Sequence, residues 1–296
     1  MGSISVYDQV TTHYGKAAKE DYGDGSYGAR VAAEFGYSKE ELDSVPQESN
    51  LGLSCGNPFA IARIQEGEVV VDLGSGAGFD VFQAAKKVGA TGRAIGIDSS
   101  DDMLARAEQI KAKLGLGESV QFVKSGITKM SLEASSADCI ISNCVVNLVP
   151  EEDKHLVFQE MARVLKSGGR VAISDILAKG EMPEEVKNSM ALYVGCIAGA
   201  SLVENYERWL REAGFRDILI VDAKSDLNVY RHSDGTNAGC CAPPEPAAKE
   251  EKKVGCCGSS SAKKASVPAQ AETVKDFDDV DFNQFAGSFK IYAIKP

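Results

Sequence analysis

Short apolar runs alternate along this chain with longer stretches in which apolar residues recur every three or four positions. Glu68–Leu73, Arg93–Ile97, Val120–Val123, Asp138–Ser142 and Arg170–Ile176 are compact apolar runs of strand length. Between them, Phe79–Val88, Asp101–Leu114 and Glu151–Leu165 carry helical spacing, and Gly168-Gly169 stops the last of these. Apolar strands alternating with helices predict a parallel sheet covered on both faces. Downstream, Pro183–Ala200 and Val203–Ala213 read as helices, with Gly214 where a closing glycine belongs, and Ile218–Ala223 reads as a strand. Ser288–Lys295 (SFKIYAIK) alternates cleanly and reads as the last strand.

Residues 1–66 form a lead-in. A helix is expected over Val6–Lys19, a Gly- and Asp-rich loop over Asp21–Tyr27, and a helical turn opened by the capping-box spacing Ser38–Glu41. Asp234–Lys275 is rich in Ala, Pro, Lys, Glu, Gly and Ser, and its composition predicts a disordered segment. A strand after such a segment implies an insertion within a hairpin. The expected organisation is therefore a helical cap (1–66), a core with a helical substrate segment at 183–213 (67–231), a linker (232–281) and a returning strand (282–296). The fold class is α/β and Rossmann-like. Its sheet is mostly parallel and seven-stranded, with helices on both faces and the last strand antiparallel.

Charge narrows the partners. The chain carries 43 acidic against 32 basic residues, a net −11. That balance disfavours nucleic acid and anionic lipid and suits a small-molecule substrate. No apolar stretch approaches the roughly 20 residues needed to span a bilayer. The opening residues show no basic stretch followed by an apolar run, so a cytoplasmic, monomeric protein is expected.

Candidate chemistry begins at Asp72-Leu-Gly-Ser-Gly-Ala-Gly78, which follows a strand and opens a helix. Its glycines let the backbone turn sharply and approach a ligand closely. The spacing is Gly74-x-Gly76-x-Gly78, with Phe79 where a dinucleotide loop would continue, and no Lys-Ser/Thr pair follows. Asp72 would repel a pyrophosphate but can receive a sulfonium or an amino group. The pattern points to S-adenosylmethionine. Asp98 ends the next strand, where a ribose-binding carboxylate belongs; the competing reading is a helix cap. Met103 can cover an adenine or fill the core. Ser75 belongs to the loop itself, and Gly126, Ile127 and Asn143 follow later strands at the same sheet edge, where ligands of open α/β sheets bind.

Eight cysteines are present. Without a secretory signal, a disulfide framework is not expected. Cys139 lies inside an apolar strand and reads as core. Cys144 lies just past a strand end, beside the expected methyl donor. Cys55 falls in a loop ahead of the first core strand and Cys196 in a glycine-containing segment. Each alone is more often structural than functional. Together, thiols converging beside a methyl donor suggest a thiophilic substrate. His13, His155 and His232 are scattered and support no hydrolytic site.

The sequence resembles the arsenite methyltransferases, a family of class I methyltransferases. The resemblance rests on Gly36–Leu42, Asn50-Leu-Gly-Leu-Ser-Cys-Gly-Asn-Pro58, Asp72–Asp80, Ser142-Asn-Cys-Val-Val-Asn-Leu148 and Tyr193-Val-Gly-Cys-Ile-Ala-Gly-Ala200. It implies that Cys55, Cys144 and Cys196 bind trivalent arsenic, delivered as arsenite or its thiol complexes. It also implies a cellular reductant such as glutathione or thioredoxin. Many members carry a further cysteine before the Asn-Leu-Gly-Leu motif; this chain has none before Cys55. The vicinal pairs Cys240-Cys241 and Cys256-Cys257 can capture arsenic and pass it inward, bind another soft metal, or be incidental. Two other functions compete. One is methylation of an organic substrate such as a quinone or sterol, which leaves the cysteine placement unexplained. The other is thiol-based sequestration of metalloids, which leaves the cofactor loop unexplained.

Overall fold

A computed structural model describes residues 5–20, 25–189, 192, 193, 195–230 and 280–296. Cys240, Cys241, Cys256, Cys257 and nearly all of the expected linker lie outside the described residues.

Seven strands form one sheet in the order β3-β2-β1-β4-β5-β7-β6. They are β1 (Val69–Leu73), β2 (Arg93–Asp98), β3 (Val120–Lys124), β4 (Ala137–Asn143), β5 (Leu165–Ala178), β6 (Arg216–Asp222) and β7 (Ala286–Ile294). The pairs among β1 to β5 are parallel, and β7 runs antiparallel to both β5 and β6. Side chains alternate between the faces as the pleat requires. Val71, Leu73 and Ile140 pack in one core, while Val70, Cys139 and Ile141 pack in the other. Cys139 is fully buried, and burial pushes its thiol up to about 12, so it is an inert core residue.

The lead-in holds α1 (Val6–Ala17), α2 (Ser26–Glu34), α3 (Lys39–Asp43) and α4 (Phe59–Ala62). Ser38 and Glu41 form the expected capping box at α3. The loop expected through Tyr27 is shorter: Ser26 and Tyr27 already belong to α2, whose Val31 and Ala32 are buried against the core. Then come α5 (Phe79–Val88), α6 (Asp101–Lys113) and α7 (Lys154–Val164) beside the sheet.

The helix expected over Pro183–Ala200 is not continuous. Among the described residues, α8 (Glu184–Lys187) ends at Asn188, Leu192 and Tyr193 are helical again, and residues 195–199 form turns and a bend. Gly195, Gly199 and a left-handed Cys196 (φ 66°) account for the turns that end the helical spacing before Ala200. The helix over Val203–Glu212 (α9) closes with Gly214 at φ 92°.

The hairpin reading holds. Asp226, Leu227 and Asn228 after β6 are stitched to Asp281, Phe282 and Asn283 before β7. Asn228 Nδ2 donates to Asp281 Oδ1 (2.9 Å), Asn283 Nδ2 to Asp226 Oδ1 (2.6 Å) and Leu227 N to Asn283 Oδ1 (2.9 Å).

Candidate active site

Parallel pairing aligns Asp72 with Gly96 and Leu73 with Ser142, so the carboxyl ends of β1, β2 and β4 share one edge. The glycine loop turns there. Gly74 has φ 65°, and a Cβ on it would run into Val145, so only glycine fits. Gly76 N donates to Asp98 Oδ2 (2.9 Å), and Asp98 Oδ1 accepts from Ser100 N (2.8 Å). Ser100 Oγ accepts from Met103 N, so Ser100 caps α6 and leaves Asp98 to brace the loop.

A cleft with about 1210 Å³ of empty space, counting its open mouth, lies over this edge. Asp72, Gly74, Ser75, Gly76, Asp98, Met103, Gly126, Ile127 and Asn143 all line it, as the sequence predicts. Gly78 does not border it. Its φ of 89° starts α5, and a Cβ there would lie 2.8 Å from both Phe122 and Phe82, so its role is close packing of helix on sheet. Residues that the sequence reading left out also line the cleft: Tyr7, Val10 and Thr11 of α1, and Leu51, Leu53 and Asp80. Tyr14 of α1 lines it too. Tyr7 Oη donates to Asp153 Oδ2 (2.7 Å), which ties α1 across the sheet edge.

Three acidic side chains gather at this cleft. Burial, then the charges of Asp80 and Asp98, holds the Asp72 carboxyl well above the usual range. Burial pushes Asp80 up to about 6, with hydrogen bonds from Tyr37 and Asn143 opposing it. Burial also raises Asp98. Crowded buried carboxyls favour a cationic ligand and oppose a pyrophosphate. Ser75 Oγ is buried with no hydrogen-bond partner among the described residues. A donor set with spare acidity and an orphaned hydroxyl fits an adenosyl cofactor bearing a sulfonium and an ammonium group.

The thiols converge as expected. The Sγ atoms of Cys55, Cys144 and Cys196 all lie within 4.8 Å of one another. Cys55 and Cys144 are joined as a disulfide with Cα atoms 5.7 Å apart, the one departure from the expectation of unpaired thiols. Only Cys144 also borders the cofactor cleft.

Each cysteine is held by main-chain contacts. Cys144 adopts φ 62°, and its N–H donates to Ser174 O (2.9 Å). The Cys196 thiol donates to Cys144 O (2.9 Å). Asn147 Nδ2 donates to Cys196 O and Ile176 O, and Asn147 Oδ1 accepts from Tyr206 Oη. Tyr206 Oη also contacts Asp175 Oδ2 (2.9 Å), whose carboxyl burial pushes up to about 7. Buried Lys154 binds Gly199 O and Ser201 Oγ and pairs with Glu151. Cys55 is anchored by its N–H to Asn143 Oδ1 (3.1 Å) and by its carbonyl, which accepts from Ser288 Oγ (2.6 Å). Asn143, predicted as a cofactor contact, thus spends its amide on the Cys55 loop. Tyr37 and Asn147 lie within the Gly36–Leu42 and Ser142–Leu148 motifs and Ser288 opens the last strand, but the sequence assigned none of them a role at the site.

Residues 64–214 match the methyltransferase-domain family. The chain belongs to the methyltransferase family. The class I fold and S-adenosylmethionine as cofactor, both expected from the sequence, agree with this membership. This methyltransferase is 44% identical over 208 residues to the arsenite methyltransferase of Halobacterium salinarum, a match covering 66% of this chain and 52% of that protein. It is 34% identical over 234 residues to the human arsenite methyltransferase, covering 75% and 61% respectively. The matches thus span about half to three fifths of these relatives' lengths. Among solved structures it is similar to the arsenic(III) S-adenosylmethionine methyltransferase of Chlamydomonas reinhardtii. That match has 26% identity and a TM-score of 0.56, and covers 91% of this chain and 73% of that one.

Proposed function

We propose that this methyltransferase moves methyl groups from S-adenosylmethionine to trivalent arsenic held by Cys55, Cys144 and Cys196, a reaction of arsenic detoxification. The single observation that carries the reading is the placement of Cys144. Its sulfur belongs to the trio within 4.8 Å, and the same residue forms part of the wall of the cofactor cleft. A substrate gripped by the three thiolates therefore sits at the cleft wall.

Bound in the cleft, the cofactor supplies an electrophilic methyl group on a sulfonium. The chain supplies position. Asp72 and Asp80 attract the cationic end, Ser75 offers a hydroxyl, and Asp98 with Met103 receives the nucleoside. The thiolates of Cys144, Cys196 and Cys55 hold arsenic with its lone pair free. No general base is required, since the nucleophile is a lone pair, and the rate gain comes chiefly from orientation. All three thiols are at most 4% exposed, which screens the bound metalloid from water.

The Cys55–Cys144 disulfide must be reduced before arsenic is held. A cellular dithiol or glutathione, or a protein such as thioredoxin, fills that role by exchange, in keeping with a reducing, cytoplasmic setting. The described residues contain no helix long and apolar enough to cross a membrane. Cleft and thiols come from one chain, so a monomer suffices. The vicinal pairs Cys240-Cys241 and Cys256-Cys257 serve as accessory capture sites. An organic methyl acceptor leaves the thiol trio without a task, and sequestration alone leaves the cofactor cleft without one.

The deciding assay supplies reduced protein with arsenite, S-adenosylmethionine and a thiol, and measures methylated arsenic. Absence of product from protein that still binds the cofactor overturns the proposal.

A further inference from the structure

A hydrogen-bonded chain runs from the cofactor cleft to the Cys55 turn, and beyond the pull of Asp80 on the cationic end the reaction makes no use of it. Asp80 borders the cleft. Its Oδ1 accepts from Tyr37 Oη (2.7 Å), and its Oδ2 accepts from Asn143 Nδ2 (3.3 Å). Asn143 Nδ2 also donates to Tyr37 Oη (3.0 Å) and to Gly56 O (2.9 Å), while Asn143 Oδ1 accepts from Cys55 N (3.1 Å). Tyr37 is 3% exposed and packs its ring on Phe79, centroids 5.1 Å apart. One amide thus touches both the Asp80 carboxyl and the two main-chain groups, Cys55 N and Gly56 O, that bracket the Cys55 turn. The Tyr37 hydroxyl closes the triangle.

We propose that Tyr37 and Asn143 are positioning residues that couple filling of the cofactor cleft to the posture of the Cys55 thiol, so that a cationic methyl donor and a trivalent metalloid bind with positive cooperativity. The inference rests on the arsenic reading above. Its physics is electrostatic. Burial, with the charge of Glu41 adding to it, pushes Asp80 up to about 6, so its protonated share grows as pH falls toward and below 6 when no cation is present. A positive ligand group draws Asp80 into its carboxylate form. Hydrogen bonds to an ionised acceptor are roughly twice as strong as neutral ones. Tyr37 and Asn143 are then held harder, and Asn143 carries that order to Cys55 N and Gly56 O. By linkage, metalloid on the thiols favours the donor by the same factor.

The test titrates inorganic arsenite calorimetrically onto the full chain, reduced with a phosphine so that no dithiol competes for arsenic. Titrations are run alone, with saturating sinefungin, which carries an amine in place of the sulfonium, and with S-adenosylhomocysteine, which lacks that charge. At pH 5, where Asp80 starts mostly protonated, sinefungin tightens the wild-type arsenite Kd about 5-fold or more, and S-adenosylhomocysteine tightens it less. Tyr37→Phe brings the factor to within about 2-fold of unity while arsenite alone still binds, a change that a merely structural tyrosine would not produce. Should Tyr37→Phe fail to fold, Asp80→Asn provides the second variant, since its amide keeps the oxygen but cannot ionise; it too loses the coupling. Arsenite binding that ignores sinefungin in the wild type, or full coupling in the variant that folds, overturns the inference alone. Failure of the reduced wild type to bind arsenite under any condition overturns the functional reading and the inference with it.

Discussion

Asn147 donates its side-chain amide to the main-chain carbonyl of Cys196 at 3.2 Å, so a fully buried polar residue 49 positions away fixes the turn that brings the Cys196 thiol to the trio. Cys196 sits at φ 66°, a conformation that a non-glycine residue holds only when its surroundings insist. Replacing Asn147 by Ala leaves Cys196 O, Ile176 O and Tyr206 Oη short of partners. The expected cost is about 1–3 kcal/mol of stability. Arsenite affinity falls more than cofactor affinity does, and paired titrations of the two ligands measure this. Equal loss of both would show that Asn147 supports the whole edge rather than the turn.

Cys144→Ser and Cys196→Ser abolish methyl transfer and leave cofactor binding unchanged, because neither thiol contributes to the acidic end of the cleft. Equilibrium binding of S-adenosylhomocysteine checks the second half of the statement. Loss of that binding would make the cysteines structural.

Asp175 gives the protein a pH dependence whose sign is fixed. Its folded-state value, about 7, lies above that of an exposed aspartate because burial disfavours its charge. The stabilising contribution is therefore full at acid pH below the unfolded value and fades as pH rises toward and through 7. Between about pH 4 and 7 the slope is up to about 1.4 kcal/mol per pH unit. Denaturation across that range should be flatter for Asp175→Asn than for the wild type. An unchanged slope would mean that Asp175 is not the titrating group.

Excising 234–275 leaves the sheet intact. The stems on either side are already joined by side-chain bonds among Asp226, Asn228, Asp281 and Asn283, and loop-closure entropy changes only slowly with length. The melting temperature is expected to stay close to that of the full chain, while arsenic uptake at low concentration drops with the loss of the vicinal cysteines. A collapse in melting temperature would contradict this.

The alternation of strand and helix, the glycine loop and the acidic end of β2 were legible because they follow local periodicity and local turn chemistry. Cys55, Cys144 and Cys196 were legible from motifs, but their mutual distances were not. Those depend on left-handed turns at Cys144 and Cys196, which nothing in the residue types announces. The helix read over Pro183–Ala200 failed for the same reason: apolar spacing suggested a helix where tertiary contacts from Asn147 and Lys154 hold turns. Tyr37 and Asn147 lie within family motifs, but their roles were not legible, because their partners are 43 and 49 or more positions distant along at least one bond, and buried hydrogen bonding leaves no periodic trace.

The bond from Ser288 Oγ to Cys55 O joins residues 233 positions apart. Gly56 lies so close to Ser174 that a Cβ there would fall 2.6 Å from its Cβ, so the Cys55 loop rests directly on β5 and β7. A ribosome reaches β7 only after every other strand has been made. The Cys55 loop therefore cannot take its final seat until synthesis is nearly done, and half-finished copies lack a completed thiol trio.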